Sequence, residues 1–340
     1  MHRRAAAAKA AWPATSYLNK ITTPDARVVH VLHGDTMGTR WRVCVVADAR
    51  LALPPLHDAV QAALDRIVAQ MSTWETDSDI SRYNRAEAGS WQALPQPFDE
   101  VLRCALDIAG ASGGAYDPTV GPLVDLWGFG SGGRGLRVPG AAEIDDARTR
   151  IGWQQITLRD NPPAVLQPGG VVLDLSAIAK GHGVDAVATC LREHGITGAL
   201  VDVGGELFGY GRKPDGTPWR VLVEAAPDAD DTAPCVLSLD GSAVATSGVH
   251  WHRFEHDGRT YAHTLDPRSG APVERAPAAV TVIADDAMRA DAWATALTVM
   301  GFDDGFAFAQ ARGLAARFVA AEAGSDGIRM TPAFADRLAA

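Results

Sequence analysis

Leu200-Val201-Asp202-Val203-Gly204-Gly205-Glu206-Leu207-Phe208-Gly209-Tyr210 is the stretch that decides the fold. Two short apolar runs flank a paired glycine, the pattern of successive strands joined by a tight turn. Working outward, residues 219–224, 236–239, 243–246, 250–255, 260–264 and 279–283 read as further strands, and 315–320 as a last one. The acidic, turn-rich residues 226–233 read as an exposed hairpin tip. Towards the N-terminus, the Val-rich runs 27–32 and 41–46 flank a glycine-containing turn, and 155–158 and 171–175 also look like strands. Between these lie helical spacings. Leu56, Ala59, Val60, Ala63, Leu64, Ile67 and Val68 mark a helix over 56–71. Residues 98–112, 143–151, 177–194, 285–300 and 302–312 are read the same way, with Gly301 placed as a C-cap. Residues 78–84 start a loop or short helix. Residues 113–135, with eight glycines, two prolines, Trp127 and Phe129, read as a long ordered loop. Strand runs mixed with helices, without strict alternation, predict an α+β fold rather than a doubly wound sheet.

The chain has 340 residues, enough for about two domains or one large one. It is 47% apolar and 21% charged, as a globular chain is, and no window approaches 18 consecutive apolar residues. Lys+Arg number 31 against 41 Asp+Glu, for a net charge of −10. Without a basic stripe, nucleic-acid binding is not expected. Cys44, Cys104, Cys190 and Cys235 are far apart and form no C-x-x-C pair, so they read as core thiols.

Four constellations carry possible chemistry. Ala115-Tyr116-Asp117-Pro118-Thr119 and the residues to Gly130 set an aromatic beside an Asp in a proline-fixed loop. Such a loop could hold a planar ring, or simply pack on its own Trp. Asp174 ends a strand, and a helix begins a few residues later with Lys180-Gly181. Free N–H groups and a lysine suit a phosphate there, although Asp174 could equally be a cap. Asp291 and Thr295, four apart, share one helix face and offer hard oxygens for magnesium or calcium. They could equally be a hydrogen-bonded pair. His263, close to Asp266-Pro267, could accept a proton at neutral pH.

In sequence order, nine motifs form a series. They are Met37-Gly38-Thr39, Met71-Ser72-Thr73-Trp74, residues 78–84, residues 116–123, Asp174 with Lys180-Gly181, residues 202–206, Thr246-Ser247-Gly248, His263-Thr264-Leu265-Asp266-Pro267, and Ala290-Asp291-Ala292 with Thr295. The series resembles the FAD:protein FMN transferase (ApbE-type) family over about residues 30–320. The resemblance implies a two-lobed architecture with a flavin site between the lobes. It implies magnesium-dependent transfer of FMN from FAD to a Thr or Ser of an acceptor protein, releasing AMP. Met37, Trp74, Ala115, Tyr116, Asp117, Asp174, Lys180 and Leu265 would line the FAD site. Asp291, Thr295 and the main-chain oxygen of Ala177 would hold Mg2+, with His263 and Asp291 catalytic. The acceptor would be a redox-complex subunit or a flavin reductase, and the transferase a monomer or homodimer.

Three departures stand out: Trp74 where many members have Tyr, Ala262 where Ser is usual, and no secretory or lipid-anchor signal. Lys9, Pro13 and Asn19 interrupt any apolar leader, so the expectation is cytoplasmic, although many members are exported. Residues 1–25 are expected to be a flexible extension, 26–325 the catalytic domain, and 326–340 a C-terminal tail. An FAD pyrophosphatase and a non-catalytic FAD-binding protein are the alternative activities.

Overall fold

The computed structural model describes residues 27–132, 135–223, 235–248, 253–274, 276–321 and 327–338. Its frame is an eight-stranded sheet: β1 (Arg27–Thr36), β2 (Thr39–Asp48), β3 (Ala199–Val203), β4 (Glu206–Tyr210), β5 (Ser242–Gly248), β6 (Ala279–Ala284), β7 (Ala315–Val319) and β8 (Ile328–Met330). The strands lie side by side in chain order, and every neighbouring pair is antiparallel. Alternation decides the faces. Trp41, Val43 and Val45 of β2, Val201 and Val203 of β3, and Phe208 and Tyr210 of β4 all enter one apolar cluster.

Most other elements are inserted into this meander. Between β2 and β3 come α1 (Leu53–Met71), α2 (Asp79–Asn84), α3 (Gln96–Ala111), α4 (Gly121–Trp127), α5 (Ala141–Thr149) and α6 (Ala179–Glu193). The apolar stripe of α1 serves two cores. Leu56, Val60 and Leu64 pack on the sheet, while Ile67 and Met71 join a second core around Phe98, Leu102 and Ile108 of α3. Between β6 and β7 come α7 (Ala287–Met300) and α8 (Phe302–Ala311). The opposite sheet face is covered by an antiparallel hairpin, Trp219–Val223 with Cys235–Leu239, packed with Phe334 of α9 (Pro332–Ala335).

The α+β expectation holds, and three local expectations are corrected. Residues 326–340 are not a tail in their described part: Ile328–Met330 pairs with β7, and Thr331 caps α9, whose Phe334 is fully buried. Residues 171–175 form no strand. Asn84 instead satisfies Leu173, its Nδ2 donating to the carbonyl and its Oδ1 accepting the N–H, and Asp174 N–H donates to Pro118 O. The glycine-rich stretch contains α4, started by Pro122 and stopped by Gly128 at φ 85°. The expected extension 1–25 and hairpin tip 226–233 lie outside the described residues.

Candidate active site

Two glycine-dependent approaches build the site. The β1–β2 turn places Met37 at φ 48° and Gly38 at φ 70°, so both central residues are left-handed. Gly181, in the first turn of α6, lies so close to α7 that a Cβ there would stand 2.2 Å from Ala287 O. The α6 N-terminus is thereby pressed against the helix that carries Asp291. Asp185, also on α6, accepts the N–H groups of Ala287 and Met288 at 2.9 Å each and caps α7 from outside.

Asp291 is buried in α7, and its Oδ2 accepts the Gly181 N–H at 3.0 Å. Gly181 is the third residue of α6, so its N–H is one of the first-turn donors that have no partner within the helix, and Asp291 satisfies it. Ala177, in the turn before α6, lines the same cleft. Thr295, one turn along α7, sits 3.1 Å from the hydroxyl of Ser247 on β5. Carboxylate, hydroxyl and carbonyl form a set of hard oxygens that suits magnesium. Among the described residues no group of three or more His, Cys, Asp or Glu is placed to hold a metal, so any cation here depends on this mixed set.

Lys180 donates to Oε1 of Glu206, the first residue of β4. Burial works against the Lys180 charge, but Asp291 and Glu206 outweigh it and hold the ammonium above its ordinary value. Burial, reinforced by Asp291, pushes the Glu206 carboxyl up to about 8 against the pull of Lys180. Asp291 is also raised, by burial, against Lys180 and the Gly181 N–H. One cation between two carboxylates satisfies only one of them, so the other is driven towards its neutral form.

Tyr116 is 4% exposed, and burial first, then Asp291, holds its phenol well above the ordinary value. Its Oη and Glu206 Oε2 are buried without a hydrogen-bond partner. Such orphans mark places where something else binds. Asp117 is occupied on both oxygens: Oδ1 accepts from Thr119 N–H and Oγ1 in its own loop, and Oδ2 from the distant Trp153 N–H. Trp74 is the opposite case, 68% exposed on a turn held by Ser78 Oγ donating to Ser72 O. His263 lies edge-on to Phe129 with centroids 6.4 Å apart, beside a cluster of Phe254, Tyr261 and Trp127. The Trp127 Nε1–H donates to Gly270 O, tying the loop of α4 to the His263 turn.

These groups open into one cleft of about 1340 Å³. That is larger than the roughly 300–1,000 Å³ of a drug-sized site. Met37, Trp74, Ala115, Tyr116, Asp117, Asp174, Ala177, Lys180, His263, Leu265, Asp291 and Thr295 all line it. Every site residue expected from the sequence is therefore at one place.

The ApbE family model matches residues 37–318. This chain belongs to the ApbE family. The FAD:protein FMN transferase of Salmonella typhimurium is 34% identical over 317 residues, covering 92% of this chain and 90% of that one. The Vibrio cholerae protein of the same name is 37% identical over 287 residues, covering 84% and 85%. The flavinyl transferase ApbE of Pseudomonas stutzeri superposes with a TM-score of 0.85 at 40% identity, covering 92% of this chain and 98% of that one. The sequence reading left out Glu206 and Ser247, which also line the cleft. Both fell inside quoted motifs, but nothing in the sequence paired Glu206 with Lys180 or Ser247 with Thr295.

Proposed function

We propose that this ApbE-family chain transfers the FMN half of FAD to a Ser or Thr hydroxyl of an acceptor protein. The acceptor oxygen bonds to the FMN-side phosphorus, the P–O bond to the other phosphate breaks, AMP leaves, and the hydroxyl proton passes to a base. The observation that carries the reading is the convergence of hard oxygens, a lysine and two partnerless buried polar atoms in one cleft of a family whose relatives bear that activity in their names. Asp291, Thr295 and the Ala177 carbonyl would hold Mg2+, which when bound neutralises charge on the diphosphate. Lys180 places a second positive charge on the same side of the cleft. His263 takes the acceptor's proton. Trp74 offers an open ring face for the flavin. Met37, Ala115, Tyr116, Asp117, Asp174 and Leu265 form the remaining walls. A flavin-carrying redox subunit or reductase is the acceptor class that fits this chemistry.

Incubation with FAD, Mg2+ and an acceptor, read by mass spectrometry and AMP release, tests the reading. A covalent FMN adduct with one AMP per adduct is expected. Free FMN without an adduct would make the chain a hydrolase, and intact FAD would make it a carrier.

A further inference from the structure

Two threonines of α7 use their hydroxyls differently. Thr298 Oγ1 donates to Ala294 O at 2.8 Å, the bond to the carbonyl four residues back that a helical threonine ordinarily makes. Thr295 has its partner off the helix: its Oγ1 lies 3.1 Å from Ser247 Oγ on β5. Alternation brings Ser247 there. Ala243 and Ala245 share its side of β5, and both are buried in the same apolar cluster as Ala287 and Ala290 of α7. These small side chains let strand and helix lie close, and Ser247 continues the contact where it opens into the cleft. The adjacent Thr246 points to the other face and pairs with Thr281, hydroxyl to hydroxyl, at 2.9 Å. Asp291, one turn before Thr295, is also held from outside its helix, by the Gly181 N–H of α6.

A hydroxyl carries one proton and two lone pairs. One that binds a cation turns its lone pairs to the metal, so its proton has to point elsewhere. Resting on the magnesium assignment made in the transfer reading above, we infer that Ser247 is a positioning residue for that site. It accepts the Thr295 proton and so aims the Thr295 oxygen into the cleft, without touching the cation itself. Aim matters here because magnesium demands a near-ideal octahedron of ligands. A partner that orients a ligand in this way is worth about 10–100-fold in metal affinity.

The test is a double-mutant cycle on the full chain, read as cation affinity rather than turnover. Mn2+ binding is followed by loss of the free-ion electron paramagnetic signal, and Mg2+ by competition, with a thermal melt of each variant to show that it is folded. Ser247→Ala should weaken both cations about tenfold. Thr295→Val should weaken them at least as much. In the Thr295→Val background, where no hydroxyl is left to orient, Ser247→Ala should cause no further loss. Parental affinity in Ser247→Ala would overturn the inference. So would the same loss in both backgrounds, which would make Ser247 a ligand in its own right. Parental affinity in Asp291→Ala would remove the metal site, and the inference with it. Failure of the transfer reading looks different: cation affinity would follow the expected pattern while the unmodified chain released no AMP from FAD with any acceptor.

Discussion

Two buried charged sites in this molecule follow opposite rules. At the mouth of α6, Lys180 lies among Glu206 and Asp291, so the cation has opposite charge beside it. In β7, Arg317 is fully buried, and none of its Nε, Nη1 and Nη2 atoms has a hydrogen-bond partner. Burial lowers its affinity for its proton, and its neighbours across the sheet are Thr281 and Met330. A buried, unpaired cation is destabilising, and a paired cluster open to a cleft is ready for ligand. The first site is the one to which the proposed function assigns chemistry. Nothing in the structure explains the second.

The sharpest way to break the contrast is at the first site. Asp291→Ala should lower transfer on the order of a thousandfold, because it removes the one carboxylate among the proposed magnesium ligands. AMP release at ordinary magnesium, with a melt to show the fold is kept, reads this; undiminished turnover would remove Asp291 from the metal site. His263→Asn should reduce turnover by about a hundredfold or more while FAD affinity holds. Turnover close to the parent would leave His263 only the task of shaping its turn. At the second site the sign reverses. Arg317→Met should raise stability by about 1–4 kcal/mol, seen as a higher urea midpoint at unchanged slope. A lower midpoint would mean that the guanidinium has a favourable role after all.

The smallest effect concerns Asp185, whose carboxyl is pushed up to about 6 by burial, against the two α7 N–H groups it accepts. Its folded-state value lies above the unfolded value of about 3.9, so the folded protein holds this proton more tightly. The group's contribution is therefore full below about pH 4 and is lost as pH rises to 6. The shift corresponds to about 1–2 kcal/mol after allowance for partial exposure. Asp185→Asn should gain on the parent between pH 4 and 7 in paired thermal melts; a constant difference across that range would refute the assignment.

Much of this was legible in the sequence because it was local. The helix that became α1 showed its stripe at Leu56, Val60, Ala63, Leu64 and Ile67. The Asp291/Thr295 spacing stated a shared helix face before any fold was known. What was not legible depended on distant partners. Residues 171–175 have strand composition, yet the Asn84 side chain takes the place of a neighbouring strand. Glu206 is tied to a lysine 26 residues earlier. The last strand and Phe334 were too short a signal to separate from a tail. The helix inside the glycine-rich stretch was the exception: Pro122 and Gly128 marked its ends, but the surrounding glycines masked them.

The order of strands also sets an order of events. β2 ends at Asp48 and its partner β3 begins at Ala199, so the pairing must close a loop of about 150 residues (199 − 48 = 151). Loop closure on that scale opposes the pairing by roughly 4 kcal/mol of chain entropy, from the logarithmic dependence on length. Contacts within the insert are nearer in sequence and form sooner. Met37 precedes the insert, Tyr116 lies within it, and Asp291 follows it. The cleft is thus a late product of folding: during refolding, helical signal should return before the capacity to quench FAD, and simultaneous recovery would argue that the long closure comes first.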